Sequence, residues 1–485
     1  MACQQKVLSL KEIDDILNAD DFFDSDNEDD NNGPIDIVEL PPEQVDEMSD
    51  NEDIDDNIIY DNIIDDEEPS DVLAFAEIHH ATGNNEPAIG VDQSALSTST
   101  AMTDSGPPPT KKRMMTLTSN WKKRQPSYSK VYPNADDVQR RSALICELQG
   151  KSPVDCFEKI FDDTIVSNIV KQTVIYATQK NVHDIQVSNE CIRKFIGILL
   201  FIGYHSLPQE QLYWCEDEDM DVQCVRQCMS RNRYLQIKWY LHVSDNSELE
   251  SIAPQERDKL FKIRPIIDQQ NEKFLQYGVF SENVSIDEQM VRYYGHYYLK
   301  QFIRGKPIRF GFKQWAICCS ETGYCYQMQV YEGKARDGDD PAMTGLGSSV
   351  VLKIISILET PEVHKVYFDN FFTGFALMKH LQDVGVRATG TAQFNRMNKC
   401  PIATDKEMKK KNKGAYDYRF DMKNEILAVT WNDKSCVRLL SNHEPIEPVS
   451  QLKRWSRTEK KDVLVPQPRL ITEYNTHMGG VDKMD

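Results

Sequence analysis

The chain has 485 residues, enough for two or three domains. Its 12 cysteines include no C-x-x-C pair, so we expect reduced thiols, and no second Cys/His pair supports a zinc site. Its net charge of −21 is uneven, because residues 1–110 contain 30 Asp and Glu against Lys6 and Lys11 and carry −28, which leaves +7 on residues 111–485. The first residues lack a signal-peptide core and the longest apolar run, residues 195–204, is too short to cross a bilayer, so we expect neither a secreted nor a membrane protein.

Residues 1–110 are predicted to form a disordered acidic tail. Residues 12–71 consist mainly of Asp, Glu and Asn, and residues 72–110 are rich in Ser, Thr, Gly and Pro. Such a segment buries too little apolar surface to offset the entropy lost on ordering. Its scattered isoleucines suit an interaction with a protein partner.

A basic linker, residues 111–150, follows the tail and contains the triplets 111–113 (KKR) and 122–124 (KKR). Two interpretations remain open for these triplets. They form a nuclear address or contact DNA phosphates, or they are a solvated linker that happens to be basic.

Residues 151–283 are predicted to form an all-α domain. Apolar residues recur at helical spacing in the stretch 152–181, again in 187–204 with Ser188 or Asn189 as the cap, and a third time in 219–243. Four basic side chains of the third helix are interpreted as a solvated face: Arg226, Arg231, Arg233 and Lys238.

From residue 284 the pattern changes to short strands and helices. The strands are 284–291, 314–320, 325–333, 364–369 and 387–393, with an ETG hairpin turn between the second and third, and helices at 347–359 and 374–385. The order β-β-β-α-β-α-β is that of a ribonuclease H-like sheet. The sequence therefore predicts an α/β ribonuclease H-like catalytic domain, residues 284–395, after an N-terminal all-α domain and a disordered acidic tail. Residues 396–465, with strand-like YDYRFD and EILAVTWND, are interpreted as an insertion domain.

Asp287 and Asp369 each lie in an otherwise apolar strand, where aspartate is disfavoured. Taken singly, each is explained best as a strand-end residue that makes a turn hydrogen bond. In the predicted sheet, however, the first and fourth strands are neighbours, so the two carboxylates can face one crevice. Two such charges about 4 Å apart repel by about 4 kcal/mol at an effective dielectric near 20, and a divalent cation removes this penalty.

Several motifs in this order resemble the piggyBac family of DNA transposases and its derived relatives in animals. They include SIDEQMV, QFIRGKPIRFGFK, VYFDNFFT, ATGTA, KKKNKGAYDYR and YNTHMGGVDKMD, and the resemblance extends from about residue 152 to the end. It implies a ribonuclease H-like domain that cuts and pastes double-stranded DNA at TTAA targets with Mg²⁺ or Mn²⁺. By the same resemblance the catalytic, metal-binding aspartates are Asp287, Asp369 and Asp482, and Asp485 is an accessory metal ligand.

The resemblance also implies a homodimer, a nuclear location and no membrane association. Residues 151–283 become the first part of a dimerisation and DNA-binding domain. Two basic segments become candidate DNA contacts, although ordinary solvated surface remains the alternative for both: Arg304, Lys306, Arg309 and Lys313 in one, and Lys409, Lys410 and Lys411 in the other. Trp315 and Trp431 are interpreted as core residues.

Family members continue past the terminal motif, so residues 466–485 are expected to be the start of a truncated last segment of the catalytic domain. Two functions from different classes follow. The first is a transposase-derived enzyme whose metal site is encoded intact. The second is a domesticated DNA-binding or regulatory protein that is catalytically incompetent.

Overall fold

The computed structural model describes residues 117–133, 137–295, 297–303, 307–333, 345–456 and 460–484, together with three short strands nearer the N-terminus. The chain divides into two compact units. The first comprises residues 1–116 and 290–312, and the second comprises residues 117–289 and 313–485.

In the first unit, the predicted disordered tail lies outside the described residues except for three strands that the sequence analysis did not predict. These are β1 (Val7–Ser9), β2 (Ile35–Glu39) and β3 (Phe75–His80), which pair antiparallel in the order β1-β3-β2.

The second unit begins with the segment 117–133, which the sequence analysis assigned to a linker. Its strand β4 (Trp121–Lys122) pairs antiparallel with a strand of the predicted insertion, Phe420 opposite Lys122. Lys123, from the second basic triplet, forms an ion pair of 3.1 Å with the buried carboxylate of Asp417. The linker interpretation is therefore wrong for these residues, because backbone pairing and an ion pair attach them to the sheet.

Residues 137–278 of the described chain form helices. The helices are α1 (Val138–Leu148), α2 (Pro153–Ile160), α3 (Asp163–Gln179), α4 (Asn189–Tyr204), α5 (Gln223–Cys228), α6 (Arg231–Tyr240), α7 (Asn246–Ser251) and α8 (Arg264–Tyr277), with short 3₁₀ turns between some of them. Ser188 caps α4 by accepting a hydrogen bond from the amide of Cys191, as predicted.

The helical spacing of the apolar residues does not reveal two points in this region where one helix ends and another begins. The stretch expected as one helix from residue 152 is α2 and α3, because Asp162 caps a new helix by accepting hydrogen bonds from the amides of Thr164 and Ile165. The stretch 219–243 likewise divides into α5 and α6. The buried faces of α3, α4 and α6 share one apolar cluster, which includes Ile165, Ile192 and Tyr234.

A mixed sheet follows, built from β5 (Asn283–Arg292), β7 (Phe310–Cys319), β8 (Cys325–Val330), β9 (Lys365–Phe368) and β10 (Arg387–Thr391), with α9 (Gly345–Ile355) and α10 (Phe375–Val384) between them. The two-residue β6 (Gln301–Phe302) precedes β7 and pairs with its first residues. The predicted order of elements is confirmed. β5 pairs parallel with β9 and β9 parallel with β10, whereas β7 and β8 form an antiparallel hairpin.

The insertion does not stand apart from this sheet. Its strands are β11 (Tyr416–Asp421), β12 (Ile426–Asn432) and β13 (Cys436–Ser441), and β13 pairs antiparallel with β10. The sheet therefore runs in the order β4-β11-β12-β13-β10-β9-β5-β7. The antiparallel pair β11–β12 was predicted, and β13 was not.

Three helices and a hairpin complete the second unit: α11 (Asp405–Met408), the hairpin of β14 (Ser450–Ser456) and β15 (Lys461–Gln467), then α12 (Arg469–His477) and α13 (Gly480–Met484). The main core lies between one sheet face and helices α9 and α10, and contains Ile286, Phe368 and Leu377. No helix among the described residues is long and apolar enough to cross a membrane.

Candidate active site

Asp287 and Asp369 lie side by side on two neighbouring strands in the interior of the sheet. In the parallel pair β5–β9, Ile286 lies opposite Phe368, so the next position on each strand brings Asp287 and Asp369 side by side. Both side chains are half-buried. Because side chains alternate along a strand, both lie on the face opposite the main core, to which Ile286 and Phe368 belong. The prediction that the first and fourth strands are neighbours is confirmed.

The local backbone orients each carboxylate. The amide of Glu288 donates to Asp287 Oδ1 at 2.8 Å, and the amide of Phe371 donates to Asp369 Oδ1 at 3.0 Å. The hydroxyl of Thr373 donates to the Asp369 carbonyl at 2.6 Å and closes the turn after β9. Each aspartate thus has one carboxylate oxygen held by the backbone amide of a residue that follows it closely in the chain.

Tyr474 of α12 lies close to both carboxylates, and the sequence analysis did not single it out. Burial raises the pKa of the Tyr474 hydroxyl, and the negative charges of Asp369 and Asp287 raise it further, although a hydrogen bond with Thr391 acts the other way. That bond joins the two hydroxyl oxygens at 3.4 Å. The phenol therefore stays protonated beside the acidic pair, where it can donate a hydrogen bond.

Helix α13, which carries Asp482, packs on the same face of the sheet as Asp287. A Cβ on Gly480 would lie 2.3 Å from Ser285 Oγ and 2.8 Å from the carbonyl oxygen of Cys319, so only glycine permits this close approach. Lys483 donates from Nζ to the Ser320 carbonyl at 2.6 Å. The side chain of Asp482 itself is exposed.

The predicted set of metal ligands is brought together only in part. Asp287 and Asp369 are neighbours, Asp482 lies on a helix against the same sheet face, and Asp485 is outside the described residues. Among the described residues, no three Asp, Glu, His or Cys side chains form a group able to hold a metal ion. The four-aspartate ligand set stays a prediction.

Lys313, a candidate DNA contact, is buried and not on the surface. Its Nζ lies 3.1 Å from Glu288 Oε2, with both side chains almost inaccessible, and 4.5 Å from the ring centre of Phe371. This ion pair links β7 to β5 one residue beyond Asp287. Because its charge is already balanced inside the protein, Lys313 is unsuited to contact a phosphate.

The other basic candidates divide into exposed residues and residues outside the described chain. Arg309 is exposed, and so are Lys409, Lys410 and Lys411 after α11. Arg304 and Lys306 lie outside the described residues. Trp315 and Trp431 are only 3% and 2% exposed, which confirms both as core residues.

Comparison with known proteins gives consistent matches. A family model described as Transposase IS4 matches residues 152–485. Human PiggyBac transposable element-derived protein 3 is 34% identical over 493 aligned positions, which span 99% of this chain and 78% of that protein. Human PiggyBac transposable element-derived protein 2 is 36% identical over 339 positions, spanning 70% of this chain and 56% of that protein.

A solved structure shares the fold. The cryo-EM structure of a piggyBac transposase synaptic complex with hairpin DNA matches with a TM-score of 0.56 and 24% identity. The match covers 69% of this chain and 67% of that one.

Proposed function

The chain belongs to the piggyBac family of transposases and transposable element-derived proteins, and from this premise we propose that it cleaves and transfers DNA strands at TTAA sites with a divalent metal ion. The single observation that carries the proposal is that Asp287 and Asp369 lie side by side, each one residue beyond the last paired residues of β5 and β9, Ile286 and Phe368. The strand order β8-β7-β5-β9-β10, with two parallel pairs at one side, supports a ribonuclease H-like catalytic domain.

The residues fit a hard cation such as Mg²⁺ or Mn²⁺. Asp287 and Asp369 supply carboxylate oxygens, the ligands that these ions prefer, and each carboxylate is held by a backbone amide. When bound, the ion supplies charge stabilisation for an in-line displacement at phosphorus. Asp482 and Asp485 are the proposed further ligands.

The protein itself orients the carboxylates. The Glu288–Lys313 ion pair fixes the distance between β5 and β7 directly beneath Asp287, and the turn after β9 fixes Asp369. The Tyr474 hydroxyl can hold a proton close to the reacting phosphate. Exposed Arg309 and the lysines at 409–411 suit contact with DNA phosphates, and a nuclear location and a homodimer form part of the same proposal.

The experiment is strand cleavage of a supercoiled plasmid that carries a TTAA-flanked element, with Mg²⁺ or Mn²⁺. We expect Asp287→Asn and Asp369→Asn each to lower cleavage on the order of 10²–10³-fold, the loss typical when one charge-stabilising group is removed. Asp268→Asn, an exposed carboxylate on α8, is the matched control and should cleave normally.

Binding measurements distinguish a loss of metal binding from a loss of DNA binding. Calorimetry should detect Mg²⁺ or Mn²⁺ with the wild-type chain and not with the doubly substituted Asp287→Asn, Asp369→Asn chain. DNA binding in EDTA should be the same for both. Cleavage that persists in the double variant would contradict the proposal.

A second function, DNA binding or regulation without cleavage, is favoured by one observation. The Asp482 side chain is exposed, and within the described residues it forms no three-acid group with Asp287 and Asp369. This function predicts DNA binding with no metal-dependent nicking under any of the conditions above.

A further inference from the structure

The hairpin β14–β15 has one packed face and one exposed face. Leu452, Val463 and Val465 point inward and pack against the apolar cluster of β11–β13 and α12. The antiparallel register places Lys453 opposite Leu464 and Trp455 opposite Asp462, so these four residues share the outward face. We call this set the outward face of the hairpin.

The outward face exposes an aromatic ring. Trp455 is 58% exposed and Leu464 is 62% exposed. The two occupy diagonal positions across the strand pair, within reach of a large ring, so they form one small apolar patch. Lys453, on the outward face, and Lys460, just before β15, are both exposed beside it.

A run of lysines leads directly to the hairpin. Gly414 has φ of +83°, and a Cβ there would lie 2.5 Å from Pro466 Cδ, so the chain at this point is in contact with β15. Four exposed lysines immediately precede this contact: Lys409, Lys410, Lys411 and Lys413. The hairpin thus exposes an indole with Lys453 and Lys460 near it and the carboxylate of Asp462 opposite it, and the four lysines at 409–413 add positive charge where the chain meets β15.

We propose that the outward face of the hairpin and the adjoining lysines bind single-stranded or locally unpaired DNA, with Trp455 stacked on a base. The inference deepens the proposed function, on which it rests, by naming a surface for the strand ends that cleavage produces. In an intact duplex the faces of each base are stacked on the neighbouring bases. At a strand break one face of the terminal base is exposed and can stack on an aromatic ring. Phosphate contact alone needs lysines and no exposed indole.

The experiment compares binding of a single-stranded oligonucleotide and a duplex of the same sequence, in EDTA, to the full chain. We expect Trp455→Ala to weaken single-strand binding roughly 5- to 150-fold, which corresponds to about 1–3 kcal/mol for one base–aromatic stack. Duplex binding should change by less than about 2-fold, since no stack is made there. Trp455→Phe, which keeps an aromatic ring, should retain most of the affinity.

Matched controls come from outside the hairpin. Trp239 on α6 is 68% exposed, and Trp239→Ala should leave the ratio of single-strand to duplex affinity unchanged. Lys453→Gln and Lys460→Gln should each reduce the slope of log K against log salt by roughly 0.7, the value for one phosphate contact on a single strand. Lys353→Gln, which changes an exposed lysine of α9, should not alter the slope.

Three outcomes would overturn the inference. The first is unchanged single-strand affinity in Trp455→Ala, and the second is an equal loss on single strand and duplex, which would indicate a groove contact without stacking. The third is a change in oligomeric state of Trp455→Ala without DNA, which would assign the face to a protein contact. Because binding is measured without metal, a protein that cuts nothing can still pass this test, so the two proposals fail separately.

Discussion

Two parts of the molecule, which we call the catalytic half and the insertion half, differ in how they hold their charged groups. In the catalytic half, β5 and β7–β10, the charged groups have fixed positions: Asp287 and Asp369 are held by backbone amides, and Lys313 is buried against Glu288. In the insertion half, β11–β15, the lysines at 409–413 and Lys453 project into solvent.

The difference follows from what each half is proposed to do. Chemistry at phosphorus needs carboxylate oxygens positioned within a fraction of an ångström, which buried strands provide. Attraction of a polyanion depends on the number of cations and tolerates movement of each one. We therefore expect function to depend on the exact positions of the charged groups in the catalytic half, and on the number of positive charges in the insertion half.

The sharpest test of this contrast exchanges a lysine for methionine in each half. Lys313→Met should lower the free energy of unfolding by about 3–5 kcal/mol, because it leaves the Glu288 charge buried without its partner. Lys453→Met should change it by less than about 0.5 kcal/mol, as is usual for an exposed position. Urea unfolding followed by circular dichroism measures both.

A double substitution checks the cause. Lys313→Met with Glu288→Leu should recover most of the lost stability, since a buried ion pair and an apolar pair of similar size are often close in free energy. Equal losses for Lys313→Met and Lys453→Met would break the contrast between the halves.

A second test uses two adjacent glycines beside the acidic pair. Gly480→Ala should lower the free energy of unfolding by about 1–3 kcal/mol through overpacking against Ser285, and should lower cleavage because α13 carries Asp482. Gly479→Ala is the control, since its nearest neighbour for a Cβ is Asp482 Oδ2 at 3.9 Å. If both variants unfold at the same urea concentration, the close packing of α13 is not as described.

Asp417 is an exception in the insertion half, because it is buried and its position is fixed. Burial alone would raise its pKa, but hydrogen bonds from Arg419, Lys123 and the Ala403 amide outweigh this and hold the pKa of Asp417 below its ordinary value. A carboxylate with a lowered folded-state pKa stabilises the fold above its unfolded pKa, about 3.9, and the contribution disappears as pH falls through the folded-state value.

Asp417→Asn should therefore cost about 1–3 kcal/mol at pH 7, the range for a hydrogen-bonded charge. The difference from wild type should stay constant from pH 7 to about pH 5 and close below about pH 4. Unfolding curves at several pH values measure it, and Lys123→Gln, which removes the more exposed partner, should cost less. A difference that grows on acidification would contradict the stated sign.

The catalytic half was predictable from sequence because its strands are short, mainly apolar runs separated by clear turns, and two of these runs carry a single aspartate, Asp287 or Asp369. The insertion half was harder. In β14, Arg454 faces inward and pairs with Asp433. A charged residue at an inward position interrupts the alternation of apolar and polar residues that indicates a strand. The break between α2 and α3 was hidden because apolar spacing continues through Phe161.

The candidate site shows the same limit. Asp287 and Asp369 were identified because a lone aspartate in an apolar strand is unusual. Lys313 was misassigned because its sequence neighbours are basic, and only the pairing of β5 with β7 reveals Glu288 as its partner. Tyr474 gave no signal beyond its place in a family motif, since its role depends on where α12 crosses the strand ends.

The pairing of β10 with β13 has a consequence for how the protein unfolds. Backbone hydrogen bonds connect Thr389, Gly390 and Thr391 of the catalytic half to Leu439, Leu440 and Ser441 of the insertion half. The insertion half therefore cannot open as an independent module, because its release would expose the backbone of β10, two strands from Asp287. Local unfolding of the insertion half and loss of the arrangement of Asp287 and Asp369 should therefore be a single cooperative event. We expect the amide protons of β10 and β13 to exchange with solvent at the same rate.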